Sequence, residues 1–316
     1  MTGSVWAQLP LSEDDYALFA REFPGLTFHS GQEIAPSEQE GTEILLTSQP
    51  FEDELVQAMP SLRWVQVTRG GGAGFITPTM RERSIRVTTC TGIHGPPFSE
   101  FTFASILTFA KQLPQIAEAQ REHRWAPEMG LAKLEGSTLG VVGLGMIGSA
   151  VAEKAKAFGM RVIATRMHPE RKPEYVDWIA GPDGTPDLMA ASDYVVVARP
   201  PGRGGGPWIT AKELGLMRRN AVLVVLVGGD HVVDLDALGD ALRGGSIAGA
   251  AINFSPFEPL PEDSPAWDFP NMILSPGLAA SDPDKWTLQR GVFIENLHRY
   301  LDGGELRNEV GVNTAY

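Results

Sequence analysis

Gly143, Gly145 and Gly148 stand in the spacing G-x-G-x-x-G, directly after the apolar run 138–142. Glycines so spaced suit a backbone that must approach a diphosphate. The first allows a tight turn, the second clears space for the phosphates, and the third lets a helix pack closely on a strand. The residues from Met146 and Ile147 onward have helical periodicity. A helix starting there aims its first free N–H groups and the positive end of its dipole at the ligand. Ile147, Val151, Ala155 and Phe158 recur at helical spacing and are expected to face a sheet. Gly159 falls where a helix-ending glycine belongs, and a second apolar run, 161–165, follows. Strand, turn, helix and strand in this order define a dinucleotide site. The alternative, a structural glycine turn without a ligand, accounts for the glycines but not for their context.

The end of the second strand bears on which dinucleotide binds. An Asp or Glu there accepts hydrogen bonds from the adenosine ribose of NAD. This chain has Ala164, Thr165 and Arg166 instead. Arginine has only donors, and its planar fork suits a 2′-phosphate. Thr165 adds a hydroxyl, and Arg171 is near. The expected cofactor is NADP(H), with NAD(H) as the alternative. No metal is expected.

The elements that position these residues are legible in the pattern. Strand-like runs (SVWAQL, LTFHS, TEILLTS, RWVQVT, IRVTTC) alternate with helical stretches up to residue 98. A long apolar helix is expected over Phe98–Leu113. A second series of strands (LGVVGL, RVIAT, DYVVVA, AVLVVLV, GAAINF, NMILS) forms a complete set of its own, and a helical segment and an extended tail close the chain. Alternation of this kind implies parallel sheets built from βαβ units. The near-continuous apolar strands of the second series fit a sheet covered on both faces. The chain has 316 residues, room for two domains. Residues 1–98 form one α/β layer and 99–284 the other, and the terminal helix can return to the first.

Composition narrows the partners. A net charge of −13 argues against nucleic acid, which needs a basic face. The run 221–227 is too short to span a bilayer, and the first residues lack the basic start and long apolar stretch of a signal peptide. The single cysteine, Cys90, has no disulfide partner within the chain, which points to a reducing compartment. It reads as a small, half-buried residue, not a reactive thiol. A cytoplasmic protein with a small-molecule substrate is expected.

The sequence also resembles the D-isomer-specific 2-hydroxyacid dehydrogenases, especially their glyoxylate/hydroxypyruvate-reductase-like branch. Four segments carry the likeness in order: GIHGPPFSEFTFASILTFAKQLPQ, the glycine motif with its flanks, VVDLDALGDALRGGSIAGAAINFSPFEPLPEDSPAWDFPNMILSP, and NLHRYLDGGELRNEV. The resemblance implies a Rossmann-type doubly wound cofactor domain, residues 99–284. It also implies a flavodoxin-like α/β substrate domain made of both chain ends, residues 1–98 and 285–316. It implies a homodimer to which the region from Phe98 to Arg124 contributes. Gly70, Gly71 and Gly72 match the backbone loop that takes the substrate carboxylate. Asn253 matches the acid beside the nicotinamide carboxamide. Pro200, in RPPG where the family has LPLT, lies by the cofactor with Arg199.

The family's chemistry rests on an arginine that holds the substrate, a histidine that exchanges the proton, and a glutamate that orients the histidine. Glu258 matches the glutamate. The histidine position holds Gly277. The arginine position, within a one-residue register ambiguity, holds Gly228 or Gly229. Asp230 and His231 follow the strand 221–227 at the end where ligands bind in open α/β sheets, so His231 is a candidate acid near neutral pH; the alternative is a solvated loop histidine. His94 reads as structural, and Arg69, Arg199 and Arg203 are candidate anion contacts.

Two functions follow. One is an NAD(P)-dependent oxidoreductase acting on a CH–OH/C=O group through an atypical active site. The other is a catalytically inactive dinucleotide-binding sensor or partner protein. A third, transient use of the nucleotide in elimination, epimerisation or group transfer, is selected by nothing in the sequence.

Overall fold

A computed structural model describes residues 3–71, 73–199, 206–255 and 259–311. From the start of the chain, β1 (Gly3–Ala7), α1 (Glu13–Glu22), β2 (Leu26–Ser30), α2 (Pro36–Gly41), β3 (Thr42–Thr47), α3 (Asp53–Gln57), β4 (Trp64–Val67), α4 (Pro78–Glu82) and β5 (Arg86–Thr89) alternate. There follow α5 (Gly95–Ala110), α6 (Leu113–Arg121), β6 (Thr138–Val142), α7 (Met146–Ala157), β7 (Arg161–Thr165), β8 (Trp178–Ala180) and α8 (Thr185–Ala191). Then come β9 (Tyr194–Val197), α9 (Ala211–Leu214), β10 (Val222–Val225), α10 (Leu235–Arg243), β11 (Gly249–Asn253) and β12 (Met272–Ser275). The chain closes with α11 (Lys285–Leu301) and β13 (Glu309–Val310).

These elements form two compact units. One comprises Met1–Ile93 and Pro283–Tyr316, the other His94–Asp282. In the first, the strand order is β13-β5-β4-β3-β1-β2. Its neighbours are parallel except β13, which runs antiparallel to β5. The order of its first five strands is that of flavodoxin-like sheets. Side chains alternate across each strand, so Val5, Ile44, Leu46 and Trp64 pack with Phe19, Phe293 and Leu297 on one face, while Trp6, Leu45, Val65 and Val67 pack with Val56 and Met80 on the other. Helix α1 begins with a reciprocal cap, in which Ser12 Oγ accepts from Asp15 N–H and the Asp15 carboxylate accepts from Ser12 N–H. The sequence places Cys90 half in the core; it is wholly buried there, and burial pushes its thiol up to about 12.

In the second unit, the order β12-β11-β10-β9-β6-β7-β8 is that of a doubly wound sheet, parallel throughout. Every residue of β6, β9, β10 and β11 is buried, which explains their unbroken apolar runs. Strand β8 did not stand out in the sequence, because it is a three-residue edge strand whose residues are only half-buried. The helix expected over 98–113 is shorter at its far end and is followed by a second one. It starts at Gly95 and ends at Ala110, Gln112 turns left-handed at φ 49°, and α6 begins at Leu113. Pro114 forces this break, since its ring would clash with the Ala110 carbonyl in a continuous helix. Phe158, expected to face the sheet, instead stacks on Phe103 of α5, with ring centroids 4.8 Å apart. No helix among the described residues is long and apolar enough to cross a membrane.

Candidate dinucleotide site

The sheet reverses its direction of winding between β6 and β9, the point at which open α/β sheets bind ligands beyond their carboxyl ends. The glycine turn sits there. Gly143 has φ 97°, and a Cβ on it would lie 2.8 Å from Arg199 Cβ and 2.9 Å from Arg199 N. A Cβ on Gly148 would lie 2.3 Å from the Gly143 carbonyl oxygen and 3.0 Å from Val141 Cγ1. Gly145 differs. It is exposed, a Cβ there meets nothing within 4 Å, and it is the N-cap of α7 with no side chain capping the helix. The first helical bond runs from Ser149 N to Gly145 O at 2.8 Å. Met146, Ile147 and Gly148 therefore present unused N–H groups beside an open space. Met146 is 55% exposed, while Ile147 packs against the core. Gly159, just past α7, is left-handed at φ 70°.

A cleft of 670 Å³ opens from this turn, lined among others by Gly143, Gly145, Thr165, Arg166, His168 and Arg199. Thr165 is buried and its carbonyl receives the N–H groups of Gly143 and Leu144. Arg166 is half-buried, and its guanidinium has no hydrogen-bond or ion-pair partner among the described residues. The Arg199 guanidinium lies over the Trp208 ring, 5.0 Å from its centroid. Arg171, expected near the site, does not line this cleft. His168 does; a loop histidine three residues past a strand has no signature in the sequence. A dinucleotide fits these residues: N–H donors free at a helix start, a glycine with open space above it, and an unpartnered guanidinium at the end of the neighbouring strand.

The remaining carboxyl-end residues are arranged differently. Asn253, at the end of β11, is tied into the scaffold. Its Oδ1 accepts from Ser275 Oγ at 2.9 Å and Ala279 N at 3.1 Å, and its Nδ2 donates to Leu226 O at 3.0 Å. Ser275 Oγ in turn accepts from Leu278 N at 3.2 Å. This network, unseen in the sequence because its members are 22 and 27 residues apart, holds the turn on which Gly277 sits at φ 80°. Gly228 and Gly229, after β10, are also left-handed, at φ 84° and 41°. A Cβ on Gly229 would lie 3.1 Å from Phe254. His231 is exposed in the short turn that follows, with its N–H on Gly228 O at 2.8 Å. In the other unit, Gly70 and Gly71 are exposed after β4. Glu258, Pro200, Arg203 and Gly72 lie outside the described residues.

The family model for the D-isomer specific 2-hydroxyacid dehydrogenase NAD binding domain matches residues 103–279. A glyoxylate reductase of Aeropyrum pernix is 33% identical over 84% of this chain and 81% of its own length. The crystal structure of a D-isomer specific 2-hydroxyacid dehydrogenase family protein from Aeromonas salmonicida is 28% identical, covers 99% of this chain and 100% of its own, and superimposes with a TM-score of 0.82. A D-isomer specific 2-hydroxyacid dehydrogenase from Xanthobacter autotrophicus, solved with NADPH and MES, is 25% identical with a TM-score of 0.82 and 99% coverage of both chains. The chain belongs to the D-isomer specific 2-hydroxyacid dehydrogenase family, with a nicotinamide dinucleotide as the cofactor of its doubly wound unit.

Proposed function

We propose that the chain is an NADP(H)-dependent oxidoreductase that reduces the carbonyl of a small 2-oxo acid, in the manner of the glyoxylate and hydroxypyruvate reductases, through an atypical active site. The observation that carries this reading is Arg166, half-buried in the cleft that begins at the glycine turn and with no partner for its guanidinium among the described residues. A donor fork at that point cannot accept the protons of a ribose hydroxyl pair but suits a 2′-phosphate. Gly143, Gly145 and Gly148 with Met146 and Ile147 hold the pyrophosphate by backbone N–H groups. Thr165 adds a hydroxyl to the adenosine end, and Pro200 belongs to the nicotinamide side.

Bound there, the nicotinamide supplies or accepts a hydride. The unit of Met1–Ile93 and Pro283–Tyr316 is the substrate domain, and Gly70, Gly71 and Gly72 take the carboxylate. Reduction also requires a proton at the developing alkoxide. With Gly277 at the position of the family's histidine, His231 at the carboxyl end of β10 is the candidate donor, and Glu258 the matching carboxylate. Asn253 keeps one amide hydrogen beyond its three scaffold bonds, enough for a single contact to the nicotinamide. A homodimer fits the surface of α6, where Trp125 is 92% exposed beside an apolar cleft lined by Ile116, Pro127 and Met129. The lone buried thiol suits a reducing, cytoplasmic setting.

The test is NADPH oxidation across 2-oxo acids, aldehydes, ketones and imines. Turnover of a 2-oxo acid that falls at least tenfold in His231→Asn supports the reading; silence across the panel overturns it. The alternative, a dinucleotide-binding sensor without turnover, is favoured by one observation. Gly228, Gly229 and Gly277 are all left-handed, so the loops are shaped around glycine and not around the arginine and histidine of the family. Tight NADPH binding with no turnover selects it.

A further inference from the structure

We propose that Thr91, backed by Thr89, is a positioning residue that sets the direction in which the glycine loop after β4 presents the Gly71 N–H; this rests on the reading that the loop takes the substrate carboxylate. Thr91 Oγ1 donates to the Gly70 carbonyl at 2.6 Å. The hydroxyls of Thr91 and Thr89 are 2.7 Å apart. Since the Thr91 proton is committed to Gly70, Thr89 Oγ1 must be the donor between them, and it also accepts the Thr91 N–H at 3.4 Å. The result is a directed chain from Thr89 through Thr91 to the Gly70 carbonyl, with every hydroxyl proton assigned.

The consequence lies in the planarity of the peptide. In a trans peptide the N–H of residue 71 points opposite to the carbonyl of residue 70, and no cis bond occurs in the described chain. Fixing the Gly70 carbonyl on Thr91 therefore turns the Gly71 N–H to the other side. Gly71 is itself exposed, and a Cβ there meets nothing within 4 Å. A glycine loop without such an anchor samples both orientations of this peptide at little cost. The anchor is itself held. Asn308 Nδ2 donates to Thr91 O at 2.7 Å and Thr89 O at 3.2 Å. Cys90 N donates to Arg69 O at 2.9 Å, and Gln289 Nε2 to Thr68 O at 2.8 Å. The base of the loop is thus clamped by the end of β5, α11 and the segment before β13, and Thr91 fixes the Gly70–Gly71 peptide.

The experiment uses the full chain as Thr91→Val, which keeps the shape and removes the donor, and Thr91→Ser, which keeps the donor. Amide hydrogen exchange over 69–74 is read by mass spectrometry, together with KM and kcat for glyoxylate at saturating NADPH and the NADPH Kd. In Thr91→Val the loop exchanges faster and KM rises about tenfold, the loss of one hydrogen bond at a site that binds charge. Its kcat and NADPH Kd stay within about twofold, and Thr91→Ser behaves like the parent. Thr91→Ala, with the same expected loss, replaces Thr91→Val should the valine variant not fold. An active parent with unchanged exchange and KM in Thr91→Val overturns the role of Thr91 alone, as does an equal loss in Thr91→Ser. A parent that neither turns over nor binds any 2-oxo acid overturns the carboxylate reading and the proposal with it.

Discussion

The Thr165 carbonyl accepts two hydrogen bonds from the glycine turn, from Gly143 N at 3.0 Å and Leu144 N at 2.9 Å. The end of β7 and the turn after β6 are therefore one corner, and Arg166, the next residue along, is fixed relative to the phosphate-facing start of α7. Pyrophosphate geometry and selectivity at the adenosine end are set by the same few backbone atoms.

Arg166→Gln removes the charge and keeps much of the length. NADPH affinity is expected to fall about 10- to 100-fold, the worth of one or two charge-assisted bonds, while NADH affinity changes less than about threefold. Paired titrations by tryptophan fluorescence check it. Equal losses for both nucleotides would mean that Arg166 is only part of the scaffold.

Gly145 and Gly148 separate binding from folding. A side chain at 145 meets open space, and the residue has an extended backbone with φ −93° and ψ −157°. Gly145→Val should unfold at nearly the parental temperature yet lose dinucleotide binding. Gly148→Ala drives a methyl against the Gly143 carbonyl and should cost about 1–3 kcal/mol of stability. Thermal melts with and without NADPH distinguish the two; a destabilised Gly145→Val would contradict the assignment of that space to the ligand.

Asn253→Ala leaves the Leu226 carbonyl, the Ser275 hydroxyl and the Ala279 N–H without their shared partner. A loss of about 2–3 kcal/mol in urea unfolding is expected, with NADPH binding weakened less than in Arg166→Gln. A loss below about 0.5 kcal/mol would show that the network is dispensable.

Cys90 gives a dependence on alkaline pH. Burial raises the native thiol from 9.0 to about 12. The folded state thus holds a proton that the unfolded state releases, so this contribution is complete below about pH 9 and declines as pH rises toward 12. Cys90→Ala should flatten the loss of stability over that range. In the native protein the thiol should resist a disulfide reagent at pH 8 and react only at the rate of unfolding; fast native labelling would refute its burial.

The sequence by itself determined the alternation of elements, every strand but β8 and β13, the glycine turn and the identity of Arg166. These are local signals: periodicity of 2 and 3.6, glycines at fixed spacing, a donor where an acceptor usually stands. Even the break it missed, at Gln112, is local in cause and written in Pro114. Tertiary structure alone decided what Asn253 does, since its three partners come from the residue after β10, from β12 and from the turn beyond, and no pattern along the chain ties them. It also decided that Cys90 is wholly buried, that Phe158 stacks on Phe103, and that His168 shares a cleft with Arg166. A side chain's chemistry depends on its solvation and its partners, and both are set by contacts between segments far apart in sequence.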